Sequence, residues 1–240
     1  MRSWISALLF ASALTILPAA SLASSLQITP VNIDVPAPGA ASKVALSNLG
    51  SEPLTAQIRI FKWIQKDGKD EFVETRDVVA SPPTVKLAPG KKSVIRVVRI
   101  SKAPASTEES YRLIVDEIPP PPKPQQSGVG FAIRYSIPVF FSKSGEDTNV
   151  SWSAKVANGK LVVTAANGGG RHIRLSGLKI VSANGNAVSF GSGLSGYVLG
   201  QSTKIWVAKS KSIASGNTVK IVAQGENGTI EATTKVQAAN

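Results

Sequence analysis

Cysteine is absent from this chain, and histidine occurs only once, at His172. Without thiols, neither a disulfide framework nor a thiolate metal site can form. A single histidine also removes most of the ligand sets and general bases on which metal centres and hydrolytic triads depend. Each folded unit therefore needs a hydrophobic core of its own, and the sequence favours binding over catalysis.

Other catalytic signatures are also missing. No Gly-x-Ser-x-Gly elbow is present, and Asp116 and Glu117 are neighbours that point to opposite faces of a strand. The glycine-rich residues 166–171 lack the Gly-Lys-Ser/Thr ending of a phosphate-binding loop, so we predict a mobile hairpin tip. His172 has no acidic residue near it in sequence and is predicted to be a surface or sheet-edge histidine. The chain is therefore predicted not to be an enzyme and to need no metal or cofactor.

Long apolar runs are scarce, and the one that stands out is N-terminal. Ile5–Leu17 follows Arg2, is mostly apolar and is too short to span a bilayer. Ser21-Leu22-Ala23 supplies small residues at the minus-three and minus-one positions of a cleavage site. We predict a cleaved signal peptide over residues 1–23, export to the periplasm, and no membrane insertion afterwards.

The net charge is +12, but the basic residues are scattered, and the longest run is Lys91-Lys92. Nucleic-acid binders more often cluster this charge on one face among aromatic platforms. The sequence therefore predicts no nucleic-acid partner and a basic surface that steers the protein towards acidic ones.

What the sequence does contain is short runs of Val, Ile and Thr separated by Gly, Pro, Asn and Ser, which is typical of antiparallel sandwiches. Seven strands are predicted in the first half, the count of an immunoglobulin-like domain: Leu26–Val35, Lys43–Asn48, Leu54–Gln65, Phe72–Val79, Ser93–Ile100, Tyr111–Glu117 and Val129–Phe141. Pro30 interrupts the first of them and favours an edge strand or a bulge there.

The polar segment Ser142–Thr148 is predicted to separate two domains, residues 24–143 and 144–240. In the second domain, Asn158-Gly159 is a strong signal for a two-residue hairpin turn. Four residues there are predicted to belong to a core, namely Trp152, Ile180, Phe190 and Trp206. The predicted fold is all-β, with two sandwiches on a short linker and a cleft between them.

One late segment, residues 128–141, has an unusual pattern. Val129, Phe131 and Ile133 alternate with small or polar residues, so one face of the predicted strand carries three large apolar side chains. The proline-rich run Pro119–Pro124 before it is predicted to be a stiff spacer. Those side chains either pack within their own domain or are offered to a partner.

Several motifs carry a resemblance to a known family: Ser47-Asn48, Ala80–Pro83, the Leu87–Gly90 turn, and Tyr111–Pro120 (YRLIVDEIPP). In this order, after an export signal and before a second sandwich, they resemble the periplasmic chaperones of the chaperone–usher pilus pathway. The sequence of residues 134–141, RYSIPVFF, resembles that of the divergent, archaic branch of the family, which is associated with spore-coat-U-like pilins. The resemblance implies two immunoglobulin-like β-sandwich domains in an L or boomerang arrangement.

The resemblance also implies a function. Such chaperones bind pilus subunits that lack their last strand, complete them by donor-strand complementation, and deliver them to an outer-membrane usher without ATP or a cofactor. The subunit-facing positions match Val129, Phe131, Ile133 and Tyr135. Self-association of the chaperone on its own stays open.

The best-known members hold the C-terminal carboxylate of the pilus subunit with an arginine and a lysine, but Asn32 and Pro138 occupy those positions here. We expect Arg112 or Arg134 to be the anchor, with Arg112 first, because it interrupts an apolar strand and a guanidinium can bind a carboxylate through two parallel hydrogen bonds. The alternative is that Arg112 points outward and pairs with Glu108 or Glu109.

Two other functions stay open at this point. Leu26–Val35 alternates partly and lies near the mature N-terminus, as the donor segment of a structural pilin or adhesin would. A periplasmic ligand-binding or carbohydrate-binding module of two sandwiches would instead expose aromatic side chains on one face. The chain has only three tyrosines and four tryptophans, and Trp4 leaves with the signal.

Overall fold

The computed structural model of the protein describes residues 26–101, 105–119, 132–209 and 212–238. These residues form nineteen strands joined by turns and short loops. None of them belongs to a helix with the length and apolar character needed to cross a membrane. The predicted all-β class is confirmed.

Ten strands build the first sandwich: β1 (Leu26–Thr29), β2 (Ile33–Pro36), β3 (Ala41–Asn48), β4 (Leu54–Lys66), β5 (Lys69–Glu74), β6 (Val78–Ser81), β7 (Thr84–Leu87), β8 (Lys92–Arg99), β9 (Glu109–Ile118) and β10 (Arg134–Ser142). One sheet has the order β1-β3-β8-β6. The other has the order β2-β10-β9-β4-β5, and β7 also pairs with β4.

The first predicted strand, Leu26–Val35, is in fact two strands. Pro30 has no backbone N–H to donate, so the ladder stops there. β1 pairs with β3 in one sheet, and β2 pairs in parallel with β10 in the other. The chain thus changes sheets at Pro30, and both pieces are edge strands.

Two further sequence predictions for this sandwich were wrong. Phe72–Val79, predicted as one strand, is divided between β5 and β6, which belong to opposite sheets. The four-residue strand β7 was not predicted at all. Its pairing with Leu54–Gln57 joins segments about 30 residues apart in the chain, and local periodicity carries no information about such a pairing.

The core of the first sandwich follows from the two-residue period of its strands. Val44 and Leu46 of β3 point inward from one sheet, and Leu113 and Val115 of β9 point inward from the other. Each fully buried side chain of this size contributes roughly 1.5–3 kcal/mol. The opposite face of β9 and β10 is therefore left for contacts outside this core.

Nine strands build the second sandwich: β11 (Val150–Ala157), β12 (Lys160–Asn167), β13 (Ile173–Ser182), β14 (Ala187–Ser189), β15 (Leu194–Val198), β16 (Ser202–Lys209), β17 (Thr218–Gly225), β18 (Gly228–Lys235) and β19 (Gln237–Ala238). Its sheets have the orders β16-β12-β11-β19 and β14-β13-β17-β18, and β15 pairs with β13.

The predicted hairpin turn of the second sandwich is confirmed. Asn158 and Gly159 link β11 to β12 with φ of 51° and 69°, the left-handed conformation of a type I′ turn. Ile180 is fully buried, while Trp152, Phe190 and Trp206 pack at the edge of this core. The polar segment between β10 and β11 separates the two sandwiches in the chain.

Candidate functional site

β10 has one edge that is only partly paired. It pairs with β9 from Arg134 to Phe141, whereas β2 covers the other side only from Val139 to Ser142. Within the described ranges, no strand pairs with the outer edge of residues 134–138. We call this stretch the open edge. An extended segment of another chain can add to such an edge as a further strand.

The ladder between β9 and β10 decides which backbone groups face outward at the open edge. Glu117 donates its N–H to the Ile133 carbonyl at 2.9 Å. In an antiparallel ladder this bonding recurs at every second residue, so Arg134, Ser136 and Pro138 direct their backbone groups away from β9. Pro138 therefore costs no hydrogen bond to β9, which explains how a proline fits inside this strand.

The four predicted subunit-facing residues are only partly described. Val129 and Phe131 lie outside the described residues. Ile133 directly precedes β10, is half-buried, and by its position continues the row of inward-facing residues of that strand. Tyr135 packs against the core of its own sandwich, and its hydroxyl donates to the Leu26 carbonyl at 2.7 Å. The core of the first sandwich therefore ends at Tyr135, and Ile133 is the first residue of this row beyond it.

Arg112 lies on the outward face of β9, next to the open edge. Its guanidinium carbon is 3.8 Å from the centroid of the Trp63 ring and 5.5 Å from that of Tyr197. Nη1 donates to the Ser136 carbonyl at 3.3 Å. Nε is buried and has no hydrogen-bond partner. Burial lowers the pKa of Arg112.

The alternative that Arg112 pairs with Glu108 or Glu109 is wrong. Glu109 accepts two hydrogen bonds from Arg99, at 2.7 and 2.8 Å. Glu108 is bonded to His172. Across the described ranges, no carboxylate lies within salt-bridge distance of Arg112. Its positive charge therefore has no carboxylate partner among those residues.

Arg134, the second predicted anchor, is in a different situation. Its side chain is exposed and its Nε donates to Asp116, a carboxylate that also accepts a hydrogen bond from Arg59 at 2.6 Å. The structure places both candidate arginines on the outward face of the same sheet. Only Arg112, however, lacks a charged partner among the described residues.

Comparison with known proteins decides the family. The model of the family described as pili and flagellar-assembly chaperone, PapD N-terminal domain, matches residues 25–145, about half of the chain. This protein belongs to that family. The resemblance inferred from the sequence motifs is confirmed, and because the family is one of assembly chaperones, membership agrees with the prediction that the chain is not an enzyme.

Individual relatives agree with this assignment. The chaperone is 28% identical over 113 residues to the chaperone protein PapD of Escherichia coli, and the match covers 45% of each chain. The aligned part thus spans less than half of that relative. A chain of the CsuC–CsuE chaperone–tip adhesion subunit pre-assembly complex, from archaic chaperone-usher Csu pili of Acinetobacter baumannii, is 28% identical with a TM-score of 0.69. That match covers 90% of the chaperone and all of the Csu chain.

A more distant neighbour shares the fold. The YadV chaperone is 17% identical with a TM-score of 0.63, and the match covers 88% of this chain and all of that one. The Csu match confirms the resemblance to the archaic branch, and the family's fold of two immunoglobulin-like sandwiches is confirmed by both structures.

Sequence reasoning missed the residues that join the two sandwiches of the chaperone. His172, predicted to be a surface or sheet-edge residue, is only 3% exposed, and its ring stacks on Phe140 with a centroid distance of 3.5 Å. Its Nδ1 lies 2.7 Å from Glu108, and the same carboxylate oxygen accepts the His172 backbone N–H at 2.9 Å. Glu108 is 64 residues away in the chain, so local sequence gave no signal for this contact.

The glycine-rich loop beside His172 is packed, not a free hairpin tip as predicted. The Gly170 carbonyl accepts the Glu108 N–H at 3.4 Å, and Arg171 pairs with Asp34 of β2 at 2.8 Å. A Cβ at Gly169 would overlap the Asp147 carbonyl. Glycine is needed there for close backbone approach at the junction, not for mobility.

Proposed function

We propose that this protein is a periplasmic assembly chaperone that captures pilus subunits by adding its own strand to them. The observation that supports this best is the open edge, residues 134–138, next to an arginine without a charged partner in the described ranges. The edge supplies backbone hydrogen bonds to a strand of the pilus subunit. The arginine supplies one charge-specific contact.

The proposed donor segment comprises Val129, Phe131 and Ile133. Ile133 continues the inward row of β10 past Tyr135, where the core of the chaperone itself ends. Apolar residues at alternate positions beyond this point fill the groove that a pilus subunit leaves where its last strand is missing. Three such side chains contribute roughly 5–9 kcal/mol before the costs of association are subtracted.

Arg112 is the proposed anchor for the C-terminal carboxylate of the pilus subunit. It is half-buried and lacks a carboxylate partner among the described residues, whereas Arg134 is already bonded to Asp116. A carboxylate accepts two parallel hydrogen bonds from a guanidinium, which fixes its position as well as its charge. This contact sets where along the open edge the captured strand begins.

Residues 1–23 act as the export signal in this proposal, and an outer-membrane usher receives the captured pilus subunit. The exchange of the chaperone strand for a better-fitting strand from another pilus subunit supplies the energy, without nucleotide or cofactor.

The other two functions gain no support. The segment that resembled a pilin donor, Leu26–Val35, is divided between two sheets of its own domain. The large hydrophobic residues exposed in the described ranges include Phe72 but no Trp or Tyr, so no aromatic platform for a carbohydrate is present there.

Co-expression with candidate pilus subunits in a periplasm, followed by affinity pull-down and mass spectrometry, tests the strand-addition proposal. Phe131→Glu and Ile133→Glu are expected to abolish recovery of the partner, because a carboxylate cannot enter an apolar groove without a counter-charge. Val207→Glu, on an exposed residue of the second sandwich, is the control and should recover the partner normally. Unchanged recovery with both donor variants would overturn the proposal.

The anchor is tested separately with Arg112→Ala. We expect a loss of about 3–5 kcal/mol of affinity for the pilus subunit, since its buried terminal carboxylate would be left unpaired. Lys91→Ala removes an exposed positive charge elsewhere and is expected to change affinity little. Equal effects of the two variants would mean that Arg112 is not the anchor, while the strand-addition proposal would stand.

A further inference from the structure

Arg112 is held by aromatic faces, not by a carboxylate. The planar guanidinium lies 3.8 Å from the Trp63 ring centroid and 5.5 Å from that of Tyr197, both within the range of a cation–π contact. A cation–π contact takes up none of the N–H donors of the guanidinium, of which one, on Nη1, donates to the Ser136 carbonyl. An ion pair would occupy those same donors and neutralise the charge.

The two rings come from different domains. Trp63 belongs to β4 of the first sandwich, is 2% exposed, and donates its Nε1–H to Asp70 at 3.1 Å. Tyr197 belongs to β15 of the second sandwich, is 4% exposed, and lies edge-on to Trp63 with a centroid distance of 5.3 Å. The two rings are therefore in contact only when the two domains pack against each other.

One side chain fixes the position of the Tyr197 backbone relative to β4. Gln65 donates from Nε2 to the Tyr197 carbonyl at 2.8 Å, and its Oε1 accepts the N–H of Leu199 at 3.0 Å. Trp63 and Gln65 lie on the same face of β4, two residues apart. The ring that faces the arginine from the second domain is thus tied to the strand that carries the other ring.

We propose that Trp63 and Tyr197 are positioning residues that hold the Arg112 guanidinium ready for a carboxylate. The inference rests on the proposed anchor function of Arg112 and extends it, because it makes the second domain part of the binding site for the pilus subunit. Tyr197 sets the orientation in which the N–H groups of Arg112 meet the terminal carboxylate of the bound partner.

The competing explanation is that the aromatic residues only pack the junction. Leu199 separates the two explanations. It belongs to the same buried cluster as Trp63, Phe140 and Tyr197 and is 4% exposed, but it is aliphatic and offers no ring to a guanidinium. Leu199→Ala thus weakens the packing of the junction and leaves both rings in the chain.

The test uses the pilus subunit that the wild-type chaperone recovers in the co-expression pull-down. This partner is prepared with its native C-terminus and with a Gly-Ser-Gly-Ser extension that displaces the carboxylate. The measured quantity is the affinity for the subunit with its native C-terminus divided by the affinity for the extended subunit. Tyr197→Leu and Trp63→Leu are expected to lower this ratio about tenfold, whereas Tyr197→Phe and Leu199→Ala should keep the wild-type ratio. Circular dichroism and thermal unfolding confirm that each variant is folded.

The possible outcomes separate this inference from the function on which it rests. If Arg112→Ala keeps the wild-type ratio, Arg112 is not the anchor and the inference falls with it. If Arg112→Ala lowers the ratio but both Tyr197→Leu and Trp63→Leu retain it, the anchor stands and the positioning role is overturned. A loss with Leu199→Ala as large as that with Tyr197→Leu also overturns it, because packing alone would then explain the effect.

Discussion

At the scale of single residues, two arginines of the first sandwich show how the same side chain serves structure or binding. Arg99 donates two hydrogen bonds to Glu109 and one, from Nη1, to the Ser101 carbonyl at 2.7 Å. Arg112 lies over the Trp63 ring and has no carboxylate partner within the described ranges. In the first arrangement, the carboxylate neutralises the charge of the guanidinium, and the ion pair stabilises the fold. The second leaves the charge unpaired among the described residues, as the proposed anchor role requires.

The Arg99–Glu109 pair predicts a pH dependence of stability. The hydrogen bond from Arg99 lowers the pKa of Glu109 below its ordinary value of 4.5, so the pair stabilises the fold above that pH and less so as the pH falls through the lowered pKa. Glu109→Gln is expected to reduce the free energy of unfolding by about 1–3 kcal/mol at pH 7, and urea unfolding at pH 7 and pH 3 measures this. An equal difference at both pH values would contradict the prediction.

At the scale of elements, the β4–β5 hairpin reaches beyond its own sandwich. Its turn residues Asp67 and Gly68 have φ of 51° and 75°, a type I′ turn. The Gly68 carbonyl accepts the N–H of Ile205 at 3.1 Å, and Asp70 pairs with Lys204 on the same strand, β16. The hairpin tip therefore contacts β16 of the second sandwich, while the body of the hairpin carries Trp63 and Gln65.

Gly68→Ala tests how tightly the hairpin tip packs. A Cβ there would overlap the Ile205 side chain, and the positive φ adds strain. Gly159 occupies the same kind of turn, but no atom lies near the position of an added Cβ. Gly159→Ala therefore measures the cost of the backbone strain alone. We expect Gly68→Ala to lower the free energy of unfolding by about 1–3 kcal/mol more than Gly159→Ala, measured by thermal or urea unfolding. Equal losses would mean that the tip is not tightly packed.

At the scale of the whole molecule, the two sandwiches are joined by buried contacts as well as by the linker. Glu108 before β9 bonds to His172 before β13, and both side chains are at most 2% exposed. Next to them, Trp63, Phe140, Tyr197 and Leu199 form an apolar cluster drawn from both domains. This buried junction adds to the free energy of unfolding of the two-domain protein, and neither sandwich alone would have that contribution. It also fixes the side chains that surround Arg112.

Glu108→Ala is expected to uncouple the two domains. Removing the carboxylate leaves the buried N–H groups of His172 without an acceptor, at a cost of about 1–3 kcal/mol. Calorimetry should then show the unfolding of the second sandwich separated from that of the first. Glu231→Ala removes an exposed partner of Lys220 and should leave the profile close to wild type. An unchanged profile for Glu108→Ala would show that the junction does not couple the domains.

Much of the fold was predictable because it depends on local sequence. The two-residue period of strands such as Lys43–Asn48 and the Asn158-Gly159 turn are properties of neighbouring residues. The sheet to which each strand belongs was not predictable in the same way. Pro30 marked an interruption but not a change of sheet, and β7 is too short for its periodicity to be seen.

The features of the candidate site also divide into those predictable from local sequence and those that depend on distant residues. Sequence by itself determined the alternating apolar pattern of residues 128–141 and the apolar strand that Arg112 interrupts, and it favoured binding over catalysis. Only the tertiary structure decided that Glu108 and Glu109 are taken by His172 and Arg99, and that aromatic rings from two domains surround Arg112. The reason is physical: a strand's pattern reports which face is apolar, but a charge's partner depends on residues brought together from distant parts of the chain.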